Sequence, residues 1–202
     1  MITIRQIYSN EKKVIQEVVN IHMNSFTGFF LTFMGKGFLN QMYSSYCKHV
    51  DSGLLVAFEE DKPIGFLSYS GDFSGLYLFM IKTKLIFFVW FGLGAFFRKP
   101  IVFTRLIKAF LKPNEVKRKE KYVELSSIGV IPGAKSKGVG SQLIKALIEI
   151  VDFNKYKYIN LETDAVDNEG VNYFYQKNGF IFSREYITAE GRKMNEYRYS
   201  KQ

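Results

Sequence analysis

The chain has 202 residues, 47% of them hydrophobic, and a formal net charge of +9. That length and apolar content suit one globular domain with a full core, residues 1–202, with room for an insertion. Cys47 stands alone beside His22 and His49, so neither a disulfide framework nor a zinc ligand set can be assembled, and no metal is expected.

The N-terminus, MITIRQIYSNEKK, lacks the apolar core of a signal peptide, and a cytoplasmic location is expected. ITIRQI alternates apolar and polar residues as a half-buried strand does. Val14, Ile15, Val18, Val19 and Ile21 then mark a helix face, with Asn10 as the expected N-cap. TGFFLTFMGKGF reads as an aromatic connector and FLNQMYSSYCKHV as a second helix. GLLVAFEE and KPIGFLSYSG are two strands of a hairpin.

Residues 71–120 separate that hairpin from the next clear strand. A structureless loop of that length is unusual in a compact domain, and the composition predicts helices: one over GLYLFMIKTKLIFFVWFGLGAFFR, a break at Pro100, and one over IVFTRLIKAFLK. From Lys82 to Lys121 there are eleven basic residues and two acidic ones, while the rest of the chain carries seventeen of each. One segment holds the whole imbalance, so an anionic partner is expected there.

Regular order resumes with the strand KYVELSSIGV, the loop IPGAKSKGVG and the helix SQLIKALIEIV. Next come a strand at YKYINLETD, a short helix at NEGVNYFYQKN with Asn178-Gly179 as its C-cap signal, and a closing hairpin. A strand, a glycine-bearing loop and a helix N-terminus make an anion site, because the first helical N–H groups have no internal partners. The spacing fits neither the nucleotide-triphosphate loop nor the dinucleotide fingerprint. On the loop alone, capping glycines in a solvated turn explain the pattern equally well.

Further residues break that tie. KSKGVG resembles the Q/R-x-x-G-x-G/A signature of the GNAT acyltransferase superfamily, which binds the pyrophosphate of acetyl-CoA. ELSSIGVIPGA resembles that family's central strand ending in Val-x-Pro, SQLIKALIEI its pyrophosphate helix, and NEGVNYFYQKNGF its N-x-x-A-x-x-F-Y-x-x-x-G-F motif. Lys135 departs from the usual Gln or Arg and meets phosphate as a point charge without the guanidinium fork, and Val171 replaces a small Ala.

The resemblance implies an α/β fold with a GNAT-type mixed central sheet flanked by helices, and a helical basic insertion at 71–120 between the third and fourth strands. It implies acetyl-CoA as co-substrate, held by Lys135, Ser136, Lys137, Gly138, Val139, Gly140 and Ser141 at the pyrophosphate. Ile128, Val130 and Asn168 would meet the pantetheine arm. Asn168 equally suits an N-cap. Glu124, six residues before Val130, matches the glutamate that serves several members as base, and strand alternation places it on one face with Ser126, Ile128 and Val130. An ion-paired strand carboxylate near Lys119 and Lys121 is the other reading. Tyr175 holds the position of the general acid for the CoA sulfur, or is an aromatic packing residue. His22, with Met23, Phe26, Phe29 and Phe30, either borders the acceptor cleft or belongs to the core.

The implied activity is acetyl transfer to a primary amine of a small anionic acceptor, such as a nucleotide-linked amino sugar. A non-catalytic CoA-binding or membrane-surface module of the same fold is the alternative. The insertion has three readings: a cap bringing positive charge to the acceptor, a peripheral membrane contact through 82–112, or a buried hairpin or homodimer surface. No nucleic-acid motif accompanies the charge.

Overall fold

The computed structural model describes residues 1–98, 120–188 and 191–201. The chain runs β1 (Ile2–Gln6), α1 (Lys12–Ser25), α2 (Phe30–Met34), α3 (Lys36–Tyr46), β2 (Ser52–Glu59), β3 (Lys62–Ser70) and α4 (Phe73–Arg98). It continues through β4 (Tyr122–Val130), a 3-10 turn (Pro132–Lys137), α5 (Val139–Ile150), β5 (Tyr158–Asp164), α6 (Glu169–Lys177), β6 (Ile181–Ile187) and β7 (Lys193–Tyr199). The seven strands form one mixed sheet in the order β1-β2-β3-β4-β5-β7-β6. Only β4 and β5 pair in parallel, joined by the α5 crossover.

Helices cover both faces. On one, Ile15, Val18, Val19, Leu39 and Tyr43 of α1 and α3 pack on Leu54, Val56 and Phe66. On the other, Leu143, Ile144 and Leu147 of α5 pack on Leu55, Leu67, Val123, Leu125 and Ile159. Every residue of β2 except its last is buried, as expected of a strand covered on both sides. On β7, Glu196 is fully buried and lies between the guanidiniums of Arg184 and Arg198, each 2.8 Å away.

Three sequence expectations need correction. The connector contains a helix, α2, closed by Gly35 at φ +90°. Helix α1 starts at Lys12 with Glu11 at its N-cap position, so Asn10 is not the cap. The Glu11 carboxylate instead accepts the Tyr8 N–H at 3.0 Å and pairs with Arg5 at 2.7 Å. The third concerns β4, where the register against β3 shifts between Ser68↔Ser127 and Tyr69↔Leu125. This bulge at Ser126 inserts one residue and reverses the alternation. Ile128 and Val130 pack in the core on the α5 side with Val123 and Leu125, so they do not share a face with Glu124. Of the 71–120 insertion, α4 is described through Arg98; the second expected helix, over IVFTRLIKAFLK, lies outside the described residues.

Candidate active site

β4 and β5 pair only through Tyr122↔Tyr158, Val123↔Ile159 and Glu124↔Asn160. β4 continues to Val130 against β3, and β5 to Asp164 against β7, so the two strands part beyond Glu124. A cavity of about 910 Å³ opens in that notch.

At one end the cavity meets the start of α5. Gly138 takes φ +70°, a left-handed conformation that glycine adopts without strain. The first bond of the α5 ladder is Gln142 N–H to the Gly138 carbonyl, which leaves the N–H groups of Val139, Gly140 and Ser141 without helical partners. A Cβ on Gly140 would come within 3.0 Å of the Phe174 ring. Gly138, Gly140 and Ser141 all line the cavity. This glycine-bearing helix N-terminus fits a pyrophosphate: three N–H groups are left for an anion, and open space lies where a Cβ of Gly138 would sit.

The other expected cofactor contacts are distributed as follows. Ile128 and Val130 line the cavity from β4, and Asn168 lines it from the N-cap of α6. The Asn168 side chain makes no capping bond; its Nδ2 donates to Thr163 Oγ1 and to the Asp164 carbonyl, both at 2.9 Å, and so ties α6 to the end of β5. The Val139 side chain is fully buried in the core, which leaves its backbone N–H for a ligand. Lys137 Nζ donates to Glu59 on the β2–β3 hairpin. Lys135 and Ser136 belong to the 3-10 turn, and their side chains lie outside the described residues.

Tyr175 lines the cavity from α6 and is 7% exposed. Burial pushes its phenol well above the usual tyrosine range, so it holds its proton at neutral pH. Glu124 sits at the notch apex, on the last β4–β5 pair, where Asn160 Nδ2 donates to its Oε2 at 2.9 Å. It is not among the residues lining the cavity.

A second carboxylate does line it. β5 carries Asn160, Glu162 and Asp164 on one face, alternating with the buried Ile159 and Leu161. Tyr186 of β6 donates to Glu162. Arg192, before β7, holds Asp164 through Nη2 bonds of 2.7 and 2.8 Å and lies over the Phe29 ring at 5.9 Å. Sequence reasoning passed over Glu162 and Asp164, although the polar alternation in YINLETD is a visible signal. His22 also borders the cavity, 2% exposed, with Nδ1 2.7 Å from Tyr43 Oη. Burial lowers its pKa to about 4, so the imidazole is neutral. Phe26 and Phe29 share this wall, whereas Met23 packs against the core. No group of three or more metal-binding side chains occurs among the described residues.

The profile of the Acetyltransferase (GNAT) family matches residues 15–180. The chain belongs to the GNAT family. This GNAT protein is therefore an N-acyltransferase that uses acetyl-CoA. No curated protein matches it in sequence. Solved structures match it over nearly their whole length. Ard1 from Thermoplasma volcanium aligns with 15% identity and a TM-score of 0.61, over 100% of this chain and 98% of that one. NAA60 from Arabidopsis thaliana, in complex with acetyl-CoA, gives 13% and 0.58, over 99% and 98%. A variant of the spermidine N-acetyltransferase SpeG from Vibrio cholerae gives 12% and 0.57, over 98% and 93%. At these identities the likeness is one of fold.

Proposed function

We propose that this enzyme transfers the acetyl group of acetyl-CoA to the primary amine of a small acceptor, with Glu162 as proton acceptor and Tyr175 as proton donor. One observation carries the reading: a single cavity joins the glycine cradle of α5 to Tyr175 and to Glu162. Acetyl-CoA supplies an activated acyl carbon in that cavity. The amine nitrogen forms the new C–N bond and loses a proton to Glu162, while the C–S bond breaks and the departing sulfur takes the Tyr175 proton. Backbone N–H groups of β4 beyond the bulge are the expected donors to the carbonyl oxygen as it gains charge.

The base role expected of Glu124 passes to Glu162 in this reading, because Glu162 is on the cavity wall and Glu124 is held at the apex by Asn160. The excess positive charge from Lys82 to Lys121 supports an acceptor whose remaining part is anionic, such as a nucleotide-linked amino sugar. At the wall itself Arg192 is paired with Asp164, and the Glu162 carboxylate on the same strand suits an amine that arrives as its ammonium form.

The test is thiol release from acetyl-CoA against a panel of amino-sugar nucleotides, polyamines and peptide amines. Turnover on at least one class is expected, and Tyr175→Phe lowers kcat about a hundredfold while leaving acetyl-CoA affinity unchanged. CoA binding with no turnover on any amine would sink the proposal in favour of a non-catalytic CoA-binding module.

A further inference from the structure

Helix α4 has two unlike sides. Leu76 and Met80 are buried in the core shared with α3. Leu78, Lys82, Ile86 and Trp90 follow one another at four-residue steps and so form a single ridge on the outer side. Leu78 is 54% exposed, Ile86 77% and Trp90 74%. Phe87 adjoins the ridge, and Lys84 Nζ lies 5.5 Å from its ring centre. The turn after α3 extends the patch: the His49 ring packs on Phe79 at 5.9 Å, and Val50 next to it stands in solvent. Lys84 also senses Lys48, and partial desolvation together with that like charge lowers its pKa.

A solvent-facing helix side ordinarily carries polar residues; a row of Leu, Ile, Phe and Trp in water marks a surface that is covered in use. The charge pattern selects what covers it. Residues 73–114 contain no Asp or Glu, Lys82 and Lys84 stand on the helix with Lys48 near by, and Asp51, next to Val50, is paired with Lys155. A second copy of this face would set those lysines against themselves across a two-fold axis, which is unfavourable. An anionic lipid surface matches both halves of the pattern, taking the apolar side chains below the headgroups and the ammonium groups among them. Crossing the membrane is a different matter: no helix among the described residues is long and apolar enough.

We propose that this side of α4 docks the enzyme peripherally on an anionic lipid surface, with Leu78, Ile86 and Trp90 entering the headgroup boundary and Lys82 and Lys84 meeting lipid phosphates. The proposal does not rest on the proton-transfer roles of Glu162 and Tyr175, and it assigns Lys82 and Lys84 to lipid rather than to the acceptor.

Trp90 is the only tryptophan in the chain, so its emission reports this surface alone. The intact protein is mixed with vesicles of phosphatidylcholine, with and without about 30% phosphatidylglycerol, at low salt and at about 0.5 M salt. The expected result is a water-exposed emission in buffer, a blue shift with co-sedimentation on the anionic vesicles, and weaker binding at high salt. Lys82→Gln with Lys84→Gln lowers partitioning about 30-fold, roughly fivefold per lysine. Ile86→Ser, at an exposed position, lowers it while keeping the reporter.

Four outcomes overturn the proposal. One is no shift and no sedimentation on anionic vesicles at low salt. Another is equal, salt-independent binding to neutral vesicles. The third is a buffer emission already blue-shifted and dependent on protein concentration, which puts a second copy on the face. The fourth is a concentration-independent blue-shifted emission that vesicles leave unchanged, which puts this chain's own residues there. Thiol release measured on the same samples separates the two readings, since turnover without vesicle binding refutes only the docking surface.

Discussion

The two carboxylates at the notch differ in place, and the difference is measurable. Glu162→Gln keeps the side-chain volume and still offers the Tyr186 hydroxyl an acceptor, but it removes the charge and the basicity from the cavity wall. A positioned general base contributes about 10²–10⁴ in rate. The expected loss in kcat/KM is therefore at least about a hundredfold, or roughly 2.7 kcal/mol of transition-state stabilisation. Glu124→Gln likewise keeps an acceptor for Asn160 Nδ2, and at the apex it costs less than about fivefold. Both variants are assayed by thiol release with a saturating amine, and acetyl-CoA affinity is measured separately by calorimetry. Unchanged affinity in both, with the loss confined to Glu162→Gln, supports the assignment. The opposite ranking, a hundredfold loss in Glu124→Gln and near-normal Glu162→Gln, refutes it and returns the base role to the apex.

Two further predictions concern stability. Glu196→Gln uncharges a fully buried carboxylate that two arginines share. Because those arginines are partly exposed and rehydrate, the cost is about 2 kcal/mol rather than the 3–5 of a wholly buried pair. That lowers Tm by about 4–8 °C, and a shift under about 2 °C in a thermal melt contradicts it. His22 is neutral in the fold because burial lowers its pKa to about 4 from the model-peptide value of 6.5. The unfolded chain thus binds the proton first, and stability falls as pH drops from about 6.5 to about 4, by about 2 kcal/mol between pH 7 and pH 5. His22→Gln removes that component, so equal pH sensitivity of the variant and the parent in urea titrations counts against it.

The strand–turn–helix around Gly138 was legible because both its chemistry and its geometry are local: glycines, a helix start and an apolar stripe follow one another in the chain. The order of elements along the chain was legible for a similar reason, since the apolar runs of β2, β3 and β5 are set off by polar turn residues. The face of Glu124 relative to Ile128 was not, because a bulge adds one residue to β4 without altering the apolar–polar string; only the pairing with β3 reveals it. Glu162 escaped notice because its partner, Tyr186, is 24 positions away on β6. Helix α2 was hidden in an aromatic stretch whose residues do not distinguish a short helix from a packed connector. The Asn10 cap failed because Glu11 finds two partners, Arg5 and the Tyr8 N–H, that a scan for capping residues does not weigh.

The short β4–β5 seam has a consequence of its own. Where the two strands part, the sheet acquires a pair of interior edges in addition to the outer edges at β1 and β6. Unpaired strand edges invite pairing with other chains, and folded proteins blunt them with bulges and with charged side chains. β4 carries a bulge at Ser126, just past the seam, and β5 carries Glu162 and Asp164 along the same stretch. The features that shape the cavity are thus also the ones that discourage a second chain from zipping into it.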